Sequence, residues 1–162
     1  MIRGTPPRRT ERPARMNGMN GMTTTTIDEL IDGFEMLDDW EERYAYIIDL
    51  GRRYTGLPAD AMVEDNKVAG CMSQVWLTAT SDDATPPRLY FKGDSDAAIV
   101  KGLIAILMTV YSNRTPEEIL ETDIDDIFTQ LGLDEHLSTG RRNGFLSMVQ
   151  RIKSIAKAKA PA

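Results

Sequence analysis

The chain has a single cysteine, Cys71, and a single histidine, His136, among its 162 residues. One cysteine excludes an intramolecular disulfide. The pair is also too small a set for a Cys/His zinc site or for a cluster held by four thiolates. Any chemistry at Cys71 is therefore that of a lone thiol, which suits a reducing compartment and leads to the expectation of a cytoplasmic protein. Long apolar runs are lacking too. The longest, Ala97 to Tyr111, is interrupted by Lys101 and Gly102 and falls short of the ~18 residues of a membrane span. Positive charge is outnumbered by negative outside the N-terminal stretch. The net charge is −6, and residues 1–27 carry +4 (Arg3, Arg8, Arg9, Arg12 and Arg15 against Glu11), which leaves −10 for the remainder. A body that acidic argues against nucleic acid, whose phosphates need a basic face. A protein or a neutral small molecule is the better-matched partner.

What is present fits one globular domain, long enough to bury roughly two-thirds of its unfolded surface. Residues 1–25 mix Pro, Arg, Gly, Met and a Thr run with little to bury, so a disordered tail is expected. Met16, Met19 and Met22 are alternative starts. A transit peptide is the rival reading of this Arg-rich stretch, but Pro6, Pro7 and Pro13 spoil an amphipathic helix. The domain is expected over 26–158, with 159–162 as a C-terminal tail.

Ile27, Leu30, Ile31, Phe34 and Leu37 recur at helical spacing. Asp39, with Glu42 three residues on, caps a second helix. Residues 54–66 read as a loop with few apolar anchors. Met72 to Thr80 reads as a strand, Ser81 to Pro87 as a turn and Leu89 to Lys92 as the returning strand. Ser95 is expected to open a helix through Tyr111 that is apolar almost all round and so central. Thr115-Pro116-Glu117-Glu118 is a helix start with a cap, a proline and an acid in order. That helix and its successor end near Gly132, and a last helix covers about 139–157. The fold class is α+β: a small antiparallel sheet covered by helices.

Cys71 sits where the loop enters the first strand, within Asn66-Lys67-Val68-Ala69-Gly70-Cys71-Met72-Ser73-Gln74-Val75-Trp76. Gly70 gives the backbone freedom beside the sulfur. The thiolate is the nucleophile, and at a pKa of about 8.5 only roughly 3% is thiolate at pH 7. Lys67 is the local cation that could raise that fraction. Against this stands the structural reading, since free cysteines are among the most buried and inert residues.

The stretch resembles the SufE family of sulfur acceptors and its CsdE-like relatives. The match comprises Asn66-Lys67-Val68, Gly70-Cys71 and Ser73-Gln74-Val75-Trp76. It continues in Gly93-Asp94-Ser95-Asp96-Ala97-Ala98-Ile99-Val100-Lys101-Gly102-Leu103 and ends in Leu131-Gly132-Leu133, His136-Leu137-Ser138, Arg141 and Asn143-Gly144. It spans about 27–157. Gly140 departs from the serine more common in the family. The resemblance implies a fold similar to U-type cluster scaffolds. It implies a carrier whose cysteine, here Cys71, takes a persulfide from a pyridoxal-phosphate-dependent cysteine desulfurase of the SufS or CsdA type. The carrier stimulates that enzyme and delivers the sulfur to a SufBCD-type assembly complex. The pyridoxal phosphate belongs to the partner, and no cofactor is expected in this chain. With one thiol the protein could shuttle sulfur but could not scaffold a cluster alone.

Asp94 and Asp96 flank the expected helix start, where carboxylates are ordinarily caps. The resemblance adds that Asp96 holds the Cys71 loop and that Arg141 contacts the loop or the desulfurase, the two residues pairing with each other or with loop backbone. Gln74 is either a polar strand residue or a donor to the sulfur. His136 is a loop anchor or a base. Val68, Met72 and Trp76 are expected to wall off the thiol. Two other functions compete. One is a desulfurase-binding allosteric activator with Cys71 idle. The other is a cysteine hydrolase with His136 as base, which also needs an oxyanion hole.

Overall fold

The computed structural model describes residues 26–71 and 73–160. The expectations for the N-terminal 25 residues, for Met72 and for residues 161–162 lie outside it. Thr26 caps α1 (Ile27–Glu35) in a full capping box with Glu29, and Asp39 caps α2 (Trp40–Arg53) by accepting from the Glu42 N–H. Two 3-10 turns, Ala59–Ala61 and Glu64–Asn66, punctuate the loop that follows. Then come β1 (Val75–Ser81), β2 (Leu89–Ser95) and α3 (Ala98–Tyr111). Four helices complete the described chain: α4 (Pro116–Glu121), α5 (Ile124–Gln130), α6 (Leu133–His136) and α7 (Thr139–Lys159).

The two strands form an antiparallel ribbon in which Val75 faces Ser95, Leu77 faces Gly93 and Ala79 faces Phe91. Period-two alternation puts Val75, Leu77, Leu89 and Phe91 on one buried face. Helix α3 lies against that face. Eleven of its fourteen residues are buried, because α2 covers its other side and α7 closes one flank. The all-round apolar pattern thus marks the centre of the molecule. The α2–α3 crossing depends on small residues. A Cβ on Gly51 would lie 2.6 Å from the Gly102 nitrogen, and one on Gly102 would overlap the Ile47 carbonyl.

The architecture is the expected α+β, with several boundaries moved. Strand β1 starts at Val75, later than expected, because the Gln74 backbone is held by Asp96 instead of by the ladder. Strand β2 runs on to Ser95, so α3 starts at Ala98 and not at Ser95. The cause is Asp94. Its buried carboxylate accepts from the Leu57 and Ser95 N–H groups at 2.9 and 2.8 Å and lies 3.6 Å from the Lys101 ammonium. It fastens the strand end to the 54–66 loop instead of capping a helix. That loop is consequently better anchored than its composition suggests, with Tyr54 and Leu57 both buried. A further short helix, α6, follows Gly132, and α7 extends to Lys159, inside the stretch expected as tail.

Candidate functional site

The loop carrying Cys71 is closed at its base by backbone pairing. The Val68 N–H donates to the Val75 carbonyl at 2.8 Å, and Lys67 is bridged to Trp76. The Val68 side chain is buried in the core, which fixes this base. Beyond it the chain turns at Gly70, whose φ of +87° is a left-handed conformation that glycine adopts without a Cβ penalty. On the far limb Asp96 grips Gln74 twice: its Oδ1 accepts from the Gln74 N–H at 3.1 Å, and its own N–H donates to the Gln74 carbonyl at 3.4 Å. The short β2–α3 connection, which follows from β2 running on to Ser95, is what brings Asp96 to this limb.

Cys71 is half-buried against α7. Its thiol points at the Gly144 carbonyl, with an Sγ–O distance of 3.7 Å. Burial pushes the Cys71 thiol above its ordinary value. The contact to Gly144 acts in the same direction, because only the protonated sulfur can donate to a carbonyl. The sulfur borders a cavity of about 420 Å³. Val75, Val100, Leu103, Phe145 and Met148 supply its apolar wall, and Ser73, Ser138 and Arg141 supply polar groups. The wall comes from β1, α3 and α7 together.

Among the residues expected at the site, Cys71 and Arg141 meet at this cavity, with Arg141 in the first turn of α7 behind the Ser138 cap. Asp96 reaches the loop through the Gln74 backbone. Asp96 and Arg141 do not pair: the ion pairs among the described residues are Arg53–Asp49 and Lys101–Asp94. Gln74 is exposed, and the loop uses its main chain, with no bond from its side chain to the sulfur. Lys67 is engaged through its backbone at the loop base, and burial shifts the thiol upward, the opposite of what an adjacent cation would do. His136 lies away from the cavity lining. Its ring stacks on Trp40 at 4.4 Å and 13°, which makes it the anchor between α6 and α2. The hydrolase reading loses its base. Val68 and Trp76 do not line the cavity. The wall comes instead from Phe145 and Met148, on the face of α7 that Arg141 begins at spacings of four and three. Gly144 was likewise missed as a thiol partner, although helical spacing sets it one turn from Arg141.

The geometry defines a small α+β protein with one shielded thiol on a loop seated against a helix. The comparisons agree on its relatives. A family profile described as "SufE: Fe-S metabolism associated domain" matches residues 28–156, so the chain belongs to the SufE family, which is associated with iron–sulfur metabolism. The chain is 48% identical over 139 residues to an uncharacterized SufE-like protein of Rhizobium meliloti, covering 85% of this chain and 99% of that one. It is 49% identical over 138 residues to another from Rhizobium etli, covering 85% and 93%. A solution structure of a hypothetical protein from Thermus thermophilus superposes with a TM-score of 0.65 at 17% identity, over 82% of this chain and 94% of that one, which bears on the fold alone. None of the helices among the described residues is long and apolar enough to cross a membrane.

Proposed function

We propose that the protein is a cytoplasmic sulfur carrier that accepts a persulfide on Cys71 from a pyridoxal-phosphate-dependent cysteine desulfurase and delivers it to an iron–sulfur assembly complex. One observation carries the reading: the only thiol of a SufE-family chain sits on a separately clamped loop beside a cavity much larger than a sulfur atom. In the reaction, the Cys71 thiolate attacks the outer sulfur of the partner's persulfide. A new S–S bond forms at Cys71, the partner's S–S bond breaks, and the partner cysteine leaves with the electron pair and takes up a proton. There is no net oxidation. The seated thiol is a poor nucleophile, because burial and the Gly144 contact both favour its protonated form. Reaction therefore calls for the loop to leave α7. The apolar wall then receives the persulfide away from water and oxidants, and Arg141 at the rim supplies a positive charge for the anion or for the partner's surface.

Intact mass after incubation with a cysteine desulfurase and cysteine is the test. The wild type should gain roughly 32 Da per sulfur and lose it to reductant, and Cys71→Ser should gain nothing. Folded wild-type protein without an adduct beside an active desulfurase would overturn the carrier reading. If Cys71→Ser then still stimulated the desulfurase, the allosteric activator would take its place.

A further inference from the structure

The incoming limb of the Cys71 loop runs along a single face of α7. Cys71 lies against Gly144, where an added Cβ would stand 3.5 Å from Sγ. Gly70 lies against Ser147, whose Oγ would be 2.7 Å from an added Cβ. Lys67 lies against Arg151, whose Nη1 donates to the Lys67 carbonyl at 3.3 Å. The helix residues are spaced by three and then four, so they form one stripe, and the limb follows it in the opposite direction. The Gly70–Ser147 contact is steric, and the Cys71–Gly144 contact is a long thiol–carbonyl bond of 3.7 Å. Arg151 supplies the charge-assisted hydrogen bond of the three, and it does so at the loop base. Beside it a shallow groove lined by Val68, Ala69, Ser147 and Arg151 is open to solvent, so few other contacts hold the limb to the helix.

We propose that Arg151 is a positioning residue for Cys71: by holding the Lys67 carbonyl it sets the loop base on α7 and keeps Gly70 and Cys71 in register with Ser147 and Gly144. Its functional meaning rests on the carrier reading, because a thiol that receives sulfur only when released needs a seat from which release is possible. Val68 fixes the base from the core side and Asp96 fixes the outgoing limb. Arg151 fixes the incoming limb. Because the acceptor is a backbone carbonyl, the identity of the Lys67 side chain is immaterial to this clamp.

The test needs no desulfurase, so its outcome is independent of whether Cys71 accepts sulfur. The rate of Cys71 alkylation is measured against pH for the wild type, Arg151→Ala, Arg151→Lys and Lys67→Ala, together with amide exchange of loop 69–74 and of α3. If only the released thiol reacts, the rate follows the opening equilibrium. Loss of a charge-assisted bond of this length should then speed labelling about five-fold in Arg151→Ala. The pH inflection should move down toward an ordinary thiol, and exchange should rise in the loop but not in α3. Arg151→Lys should recover most of the wild-type slowness, and Lys67→Ala should match the wild type. Slower labelling with a higher inflection in Arg151→Ala would make Arg151 a cation that activates the thiol and would overturn the clamp. So would an unchanged rate, a Lys variant as fast as the Ala variant, or exchange that rises equally in α3.

Discussion

Two aspartates, Asp94 and Asp96, stand two residues apart and do different work. The first is buried and holds the Leu57 and Ser95 N–H groups; the second is exposed and holds the limb that follows Cys71. Removing the Asp94 carboxylate leaves the buried Leu57 N–H and the part-buried Ser95 N–H without this partner, the buried one costing on the order of 1–3 kcal/mol and the other less. Asp94→Ala should therefore lower the stability by roughly 3 kcal/mol in urea unfolding. Asp96→Ala should leave the unfolding midpoint nearly unchanged, since its bond is solvent-exposed. It should instead speed alkylation of Cys71 several-fold by loosening the outgoing limb. Equal effects of the two substitutions on labelling would show that Asp96 is not specific to the loop. His136→Ala removes a ring stacked on Trp40 and should cost about 1 kcal/mol of stability. It should leave sulfur loading of Cys71 intact, because the ring is outside the cavity lining.

At the scale of elements, the site depends on how closely α2 and α3 approach. Gly51 and Gly102 bring the two backbones together, and Ile47 offers its carbonyl where a Gly102 side chain would go. This pair sits behind α3, whose opposite side supplies Val100 and Leu103 to the cavity. Gly102→Ala must separate the helices and should cost about 3 kcal/mol, read as a lower urea midpoint. The displacement should also reach the thiol, so the labelling rate of Cys71 should change in Gly102→Ala even though the substitution lies outside the cavity lining. Gly144→Ala is the contrasting case. Its Cβ would meet Cys71 at 3.5–3.7 Å, an ordinary contact, so seating of the reduced thiol should survive.

Across the whole molecule, stability should fall in strong base. Tyr54 is buried with its hydroxyl accepting from the Gly93 N–H, and burial pushes its pKa up to about 12 from 10.0. Tyr111 is also raised to about 12, chiefly by burial and then by Asp125 and Asp123. In both cases the unfolded chain releases its proton first, so it binds fewer protons than the folded chain between pH 10 and 12. Stability is therefore full below about pH 10 and declines as the pH rises through the folded pKa values. A two-unit shift corresponds to about 3 kcal/mol for Tyr54. Tyr54→Phe should be less stable at neutral pH, having lost the bond to Gly93, and should show a shallower decline above pH 10. Chemical unfolding at several pH values checks both.

Much of this organisation was legible in the residues. Asp39 and Thr115 cap the helices they were expected to cap, because a cap is a local contest over a few N–H groups. The apolar run of α3 announced the centre of the fold because burial on every side leaves no polar face. The motif around Cys71, with the later blocks, pointed to the family that the profile match shows. The exact limits of β1, β2 and α3 were not legible, because Asp94 and Asp96 are spent on partners 37 and 22 residues away, and local spacing carries no trace of such bonds. The sequence by itself determined that there is one thiol, which helices form apart from the short α6, and where the hairpin lies. Only the tertiary structure decided what the thiol faces. The Gly144 carbonyl, the cavity wall of α3 and α7, and the bond from Arg151 to Lys67 all join residues about 30 to 84 positions apart. Which of many surface side chains reach that loop is set by how α7 packs against α4 and α3, and not by any neighbour in sequence.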